Sequence, residues 1–167
     1  MDFTSLIPEY KIWKENNLDF TIIDYLGVKS SYEQILIASK LFFPDLFITN
    51  GLVLLKESCQ LVNAESFWTN TKTLADFERT INFVCLGNII SITNEQDLLL
   101  CKETVIMIKK SWDIFFKCNY SDYDLVSDIY EDEFDGWCVT FFQRKNITLP
   151  KPQDYPLKNI SYVDKKA

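Results

Sequence analysis

The spacing of apolar positions separates this chain into segments of two periods. Leu98, Cys101, Val105, Ile108, Trp112 and Phe115 are three and four residues apart, so one stripe of a long helix faces a core from end to end. Asn94 is placed to cap that helix, with Glu95 and Asp97 suited to the positive end of its dipole. Thr73 and Asp76 open a second helix with apolar Leu74, Phe77, Ile81 and Val84, ending near Leu86, where Gly87 stands as a left-handed cap. Ser31 and Gln34 match a capping box for a third, in which Tyr32, Ile35, Leu36, Ser39, Phe42 and Phe43 recur until Pro44. Leu6 to Asn17 predicts a short helix with Pro8 in its first turn and Tyr10, Ile12 and Trp13 on roughly one side.

Other stretches follow the period of two. Leu125, Ser127 and Ile129 alternate with Val126, Asp128 and Tyr130, and Trp137, Val139 and Phe141 with Cys138, Thr140 and Phe142, which predicts a hairpin. Phe47 to Leu55 reads as extended chain bent at Asn50-Gly51, a dipeptide that supplies the positive φ of a tight turn. The β-branched run Phe20-Thr21-Ile22-Ile23 predicts a strand closed by Gly27, and Asn88 to Thr93 another short one. Beyond Asn146, Pro150, Pro152 and Pro156 oppose any regular element, leaving an extended end pinned by Tyr155, Ile160 or Tyr162. No internal repeat is visible.

The expectation is an α+β protein: one domain over residues 1–145, with an antiparallel sheet and C-terminal hairpin packed against about four helices, one long and central. Residues 146–167 form a basic, proline-containing tail. At 167 residues, with 13 Phe, 8 Tyr and 4 Trp, the chain is able to bury a substantial core. No apolar run approaches the roughly 18 residues of a membrane span. The opening Met1-Asp2-Phe3-Thr4 lacks a basic or apolar leader, so the expected location is the cytoplasm. Five scattered cysteines, Cys59, Cys85, Cys101, Cys118 and Cys138, without a CxxC pair, are expected to be reduced thiols.

Charge changes the picture most. The net charge is −7, unevenly spread: residues 1–143 carry 11 basic against 22 acidic side chains, residues 144–167 carry 6 against 2. Nucleic acid and anionic membrane are disfavoured as direct partners, since both demand Lys and Arg. Between Cys118 and Gly136 stand Asp122, Asp124, Asp128, Glu131, Asp132, Glu133 and Asp135, with no Lys or Arg. Tyr120, Tyr123, Tyr130, Phe134 and Trp137 flank them. Carboxylates steer a cationic partner and aromatics anchor it, so this hairpin is the candidate partner-binding surface. A tail folded back across the acidic face, or a solvated hairpin with no partner, accounts for the same residues.

Chemistry is narrowed further by the absence of histidine, which removes Ser-His-Asp and Cys-His nucleophile systems and histidine-ligated metals. The acidic run lacks the order of an EF-hand loop, and four isolated glycines make no phosphate cradle. Paired aromatics such as Phe141-Phe142 lack the interleaved cations of a base-stacking platform and suit a core. The reading is non-enzymatic, with no cofactor or metal. Its rivals are a carboxylate- and metal-dependent hydrolase or nuclease, and a structural adaptor that dimerises through the stripe of the long helix.

An acidic α+β chain with an aromatic, carboxylate-rich surface resembles the immunity proteins of bacterial toxin systems. Leu6-Ile7-Pro8-Glu9-Tyr10-Lys11-Ile12-Trp13 is similar to the Leu-Pro-x-x-Tyr opening of SUKH-type immunity domains, departing from it where Asn16-Asn17-Leu18 replaces the Asn-Gly that follows. The resemblance implies a cytoplasmic inhibitor, monomer or weak dimer, that stoichiometrically blocks a basic, nuclease-type toxin. It further implies that carboxylates between Asp122 and Asp135 fill the toxin's phosphate-binding cleft or a neighbouring basic exosite.

Overall fold

The computed structural model describes residues 2–58 and 64–153. The chain divides into two compact units, residues 1–42 and 43–167. The first is helical: α1 (Phe3–Leu6), α2 (Pro8–Asn16), α3 (Ile22–Lys29) and α4 (Tyr32–Phe42). Tyr10, Trp13, Phe20 and Tyr25 form its aromatic centre, with ring centroids 5.1–6.1 Å apart. Helix α2 begins at Pro8, as its pattern predicts. The strand expected at Phe20-Ile23 is instead the start of α3. Thr21 Oγ1 accepts the Ile23 N–H, and Asp24 accepts the Thr21 N–H at 2.6 Å. This reciprocal cap satisfies donors that a new helix leaves open, and it outweighs the weak β preference of two isoleucines.

The second unit holds the sheets and the principal core. Strands β1 (Leu46–Thr49) and β2 (Leu52–Leu55) form the expected hairpin, with Asn50 and Gly51 both at positive φ (47° and 81°). Helices α5 (Ala64–Asn70) and α6 (Leu74–Ile81) pack Trp68, Leu74, Phe77 and Ile81 against Leu52 and Leu54. Helix α6 begins with the expected Thr73–Asp76 box but stops at Ile81, because Asn82 turns its side chain to the strands. The chain then adds the two-residue strand β3 (Val84–Cys85), and Gly87 lies in a 3-10 turn rather than a left-handed cap. That turn and irregular chain occupy the place of the strand expected at Asn88–Thr93.

Helix α7 (Glu95–Asn119) is the long element, capped by Asn94 and burying Cys101, Val105, Ile108, Trp112 and Phe116. Strands β4 (Leu125–Asp132) and β5 (Gly136–Gln143) form the C-terminal hairpin in an antiparallel sheet of order β3-β5-β4. Helix α7 covers one face, where Trp112 meets Phe141 edge-on at 5.5 Å and Ser127 bonds Asp113. Helix α6 covers the other, where Thr140 Oγ1 donates to the Arg79 carbonyl at 2.8 Å. The α+β class, the hairpin and the long helix are as the pattern predicts. Seven α-helices occur among the described residues, more than the long-period segments announce.

The expectation of reduced thiols is corrected for one pair. Antiparallel register sets Cys85 opposite Cys138, 4.1 Å apart at Cα, and the two form a disulfide. Their separation of 53 residues conceals this, because sheet register, not sequence distance, brings cysteines within bonding reach. Cys101 is free and buried, Cys118 free and exposed, and Cys59 lies outside the described residues. No helix among the described residues is long and apolar enough to cross a membrane.

Candidate functional site

The seven clustered carboxylates of the sequence do not form one cluster in space. Asp122, in a 3-10 turn, and Asp124 lie just before β4, and a strand rising about 3.3 Å per residue puts Asp124 roughly 26 Å from Asp132. Asp124 adopts φ 43° and is ion-paired to Arg144 at 3.2 Å. Arg144 opens the basic stretch 144–167, just ahead of the tail, so part of the expected intramolecular compensation occurs at this remote end. Lys151, farther along the described part of the tail, instead donates to the Trp68 and Thr71 carbonyls and lies over the Trp68 ring. Tyr155, Ile160, Tyr162 and the rest of the tail's expected docking lie outside the described residues.

Strand alternation divides the remaining candidates. Glu131 is paired with Trp137 on the face that α7 covers, and the Lys102 ammonium stands 4.5 Å above the Trp137 ring. Asp128, Tyr130 and Asp132 point to the opposite, α6 face. Glu133 and Phe134 occupy the turn between the strands, where Phe134 is 90% exposed.

On the α6 face the sequence candidates do converge. A cavity of about 440 Å³ is lined by Asp128, Tyr130, Asp132 and Asp135, with Arg79 and Phe83 on the opposing wall. Asp132 shapes its rim: one carboxylate oxygen accepts the backbone N–H groups of Phe134 and Asp135 at 2.9 and 3.0 Å. Those two donations hold its carboxyl below the ordinary range. The Tyr130 phenol is pushed up, first by burial and then by the negative charge of Asp132 and Asp135.

Among the described residues, three carboxylates and one cation line this cavity. Among the described residues, no ion pair joins Asp128, Asp132 or Asp135 to a Lys or Arg. Arg79 is held to the wall, its guanidinium 3.8 Å from the Phe142 ring centroid and 3.9 Å from Asp76. No set of three carboxylates or thiols among the described residues is arranged to hold a metal ion. The arrangement offers acceptors to cationic or hydrogen-bond-donating groups entering beside an exposed aromatic.

Sequence reasoning missed Arg79, Phe83 and the backing of the turn. Gly87 packs against Asp135 so tightly that a Cβ there would collide with the Asp135 carbonyl, and Asn88 Nδ2 donates to the Asp135 carboxylate at 3.3 Å. Gly87 was visible as a special residue, but its partner 48 positions away was not. No family model, curated protein or solved structure matches the chain.

Proposed function

We propose that this protein is a non-enzymatic, cytoplasmic inhibitor of the immunity type, which neutralises a basic, nuclease-type bacterial toxin by accepting its cationic side chains at the hairpin. The observation carrying this reading is the cavity in which, among the described residues, Asp128, Asp132 and Asp135 have no Lys or Arg ion-pair partner, while Arg79 on its wall stacks on Phe142. Carboxylates that no neighbouring cation neutralises keep their attraction for a Lys or Arg that loses water on docking. Exposed Phe134, at the tip, supplies the apolar contact that charge alone does not. Asp122 and Asp124 lie too far along the strand to share this contact, and Glu131 and Trp137 belong to the opposite face.

The test is protection. Coexpressed with a nuclease toxin domain encoded beside it, the protein is expected to restore growth and form a 1:1 complex. Combined Asp128→Asn, Asp132→Asn and Asp135→Asn replacement is expected to slow association at least tenfold at low salt and much less at high salt. A soluble, folded chain that neither protects nor binds contradicts the proposal. Protection unaffected by the triple replacement removes this cavity as the contact.

A further inference from the structure

The cavity wall also contains chemistry that partner binding does not use. We propose that Cys85–Cys138 is a thiol–disulfide exchange site, and that its redox state determines whether the acidic turn is braced or released. Strand β3 has only two residues, and its register with β5 consists of Val84 opposite Val139 and Cys85 opposite Cys138. The disulfide makes the second pairing covalent. Immediately downstream, Gly87 abuts the Asp135 backbone and Asn88 bonds its carboxylate. Residues 84–88 are therefore a strap: one end is sulfur-linked to β5, the other supports the turn that carries Asp132 and Asp135.

Both cysteines are buried, Cys138 fully and Cys85 to all but 5%, and of the two Cys85 lines the cavity. Cys85 is therefore the half of the disulfide that a thiolate entering the cavity meets, and its Sγ the atom attacked in the proposed exchange. Its attack forms a mixed disulfide and expels the Cys138 thiolate, which takes a proton from water. A second external thiolate then attacks the mixed disulfide and releases Cys85. In sum, one protein disulfide and two small thiols give two protein thiols and one small disulfide; an external disulfide drives the reverse.

Asp128, Asp132 and Asp135 around the same opening select the reagent. They repel an attacking anion and tolerate a thiolate whose charge is balanced by an ammonium. This site is independent of the identity, or existence, of a toxin partner.

The experiment uses the full oxidised chain and three thiols at equal thiolate concentration: cysteamine, 2-mercaptoethanol and 2-mercaptoethanesulfonate. Alkylation with peptide mass spectrometry follows each cysteine, with exposed Cys118 as the internal standard. The expected rate is first order in thiolate and falls about tenfold from cysteamine to the sulfonate, a spread that molar salt abolishes. On reduction, amide exchange at residues 84–88 and 133–136 is expected to accelerate at least tenfold, with Phe77–Ile81 unchanged. Three results overturn the proposal: both cysteines alkylated before reduction, a reduction rate independent of thiol concentration and charge, or equal exchange of the turn in both redox states. Because the comparison uses one chain in two redox states, it does not depend on a cysteine variant folding.

Discussion

Glu78 and Asn82, four residues apart at the end of α6, together occupy the place of a missing strand between the two sheets. Glu78 accepts the Val53 N–H at 2.9 Å, while Asn82 accepts the Leu55 N–H and donates to the Val53 carbonyl, both at 2.8 Å. On the opposite side they reach β5: the Glu78 carboxylate accepts the Gln143 N–H at 2.8 Å and its Nε2 at 2.7 Å, and Asn82 donates to the Phe141 carbonyl at 3.1 Å. Both side chains are fully buried. Backbone groups that would otherwise be stranded at two sheet edges are thus satisfied by one face of one helix turn.

Removing either member withdraws partners from several buried groups at once. Glu78→Ala or Asn82→Ala is expected to cost about 3 kcal/mol or more, with a double replacement costing less than the sum because the two serve the same edges. Urea denaturation of the four proteins checks this, and a loss below about 1 kcal/mol for both single variants contradicts the bridging role.

The bridge also imposes a pH dependence. Burial pushes the Glu78 carboxyl above its ordinary value of 4.5, outweighing the donations from Gln143 and Val53. The folded chain therefore binds this proton more tightly than the unfolded chain. The resulting stabilisation is complete below about 4.5 and is lost as pH rises through the folded-state value. The wild type is expected to lose stability relative to Glu78→Gln over that rise; parallel pH profiles contradict the assignment.

The potential of the acidic cavity is measurable at Tyr130. The paired substitutions Asp132→Asn and Asp135→Asn remove two negative charges, while the amide side chain introduced at position 132 retains an oxygen for the turn. The Tyr130 phenol is expected to titrate at lower pH than in the wild type, yet still above its ordinary 10.0, because burial is the larger cause. NMR titration of the ring carbon, assigned with Tyr130→Phe, reads the change; an unmoved midpoint places the carboxylates elsewhere.

Gly87→Ala tests the support behind the turn. Its methyl would meet the Asp135 backbone, which has no flexible side-chain end able to yield. Expected effects are a loss of about 1–3 kcal/mol and chemical-shift changes centred on Asp132–Gly136. A neutral substitution with an undisturbed turn contradicts the close approach.

The features set by neighbouring residues were legible in the chain itself: the Asn50-Gly51 turn, the Thr73–Asp76 cap, the Asn94 cap with the stripe of α7, and the alternation of β4 and β5. Each depends on contacts within a few positions, where spacing is geometry. Even there the strand read from the β-branched run at Phe20-Ile23 is overturned, because Thr21 and Asp24 form a capping box in the structure. The pattern of Leu74, Phe77 and Ile81 does not single out Glu78, whose role depends on partners in β2 and β5. Tertiary structure alone decided that Cys85 meets Cys138, that Gly87 backs Asp135, and that a continuous acidic run is split between two faces and two ends of a strand. Those outcomes depend on register and on which helix covers which face, and both are fixed by packing between segments tens of residues apart.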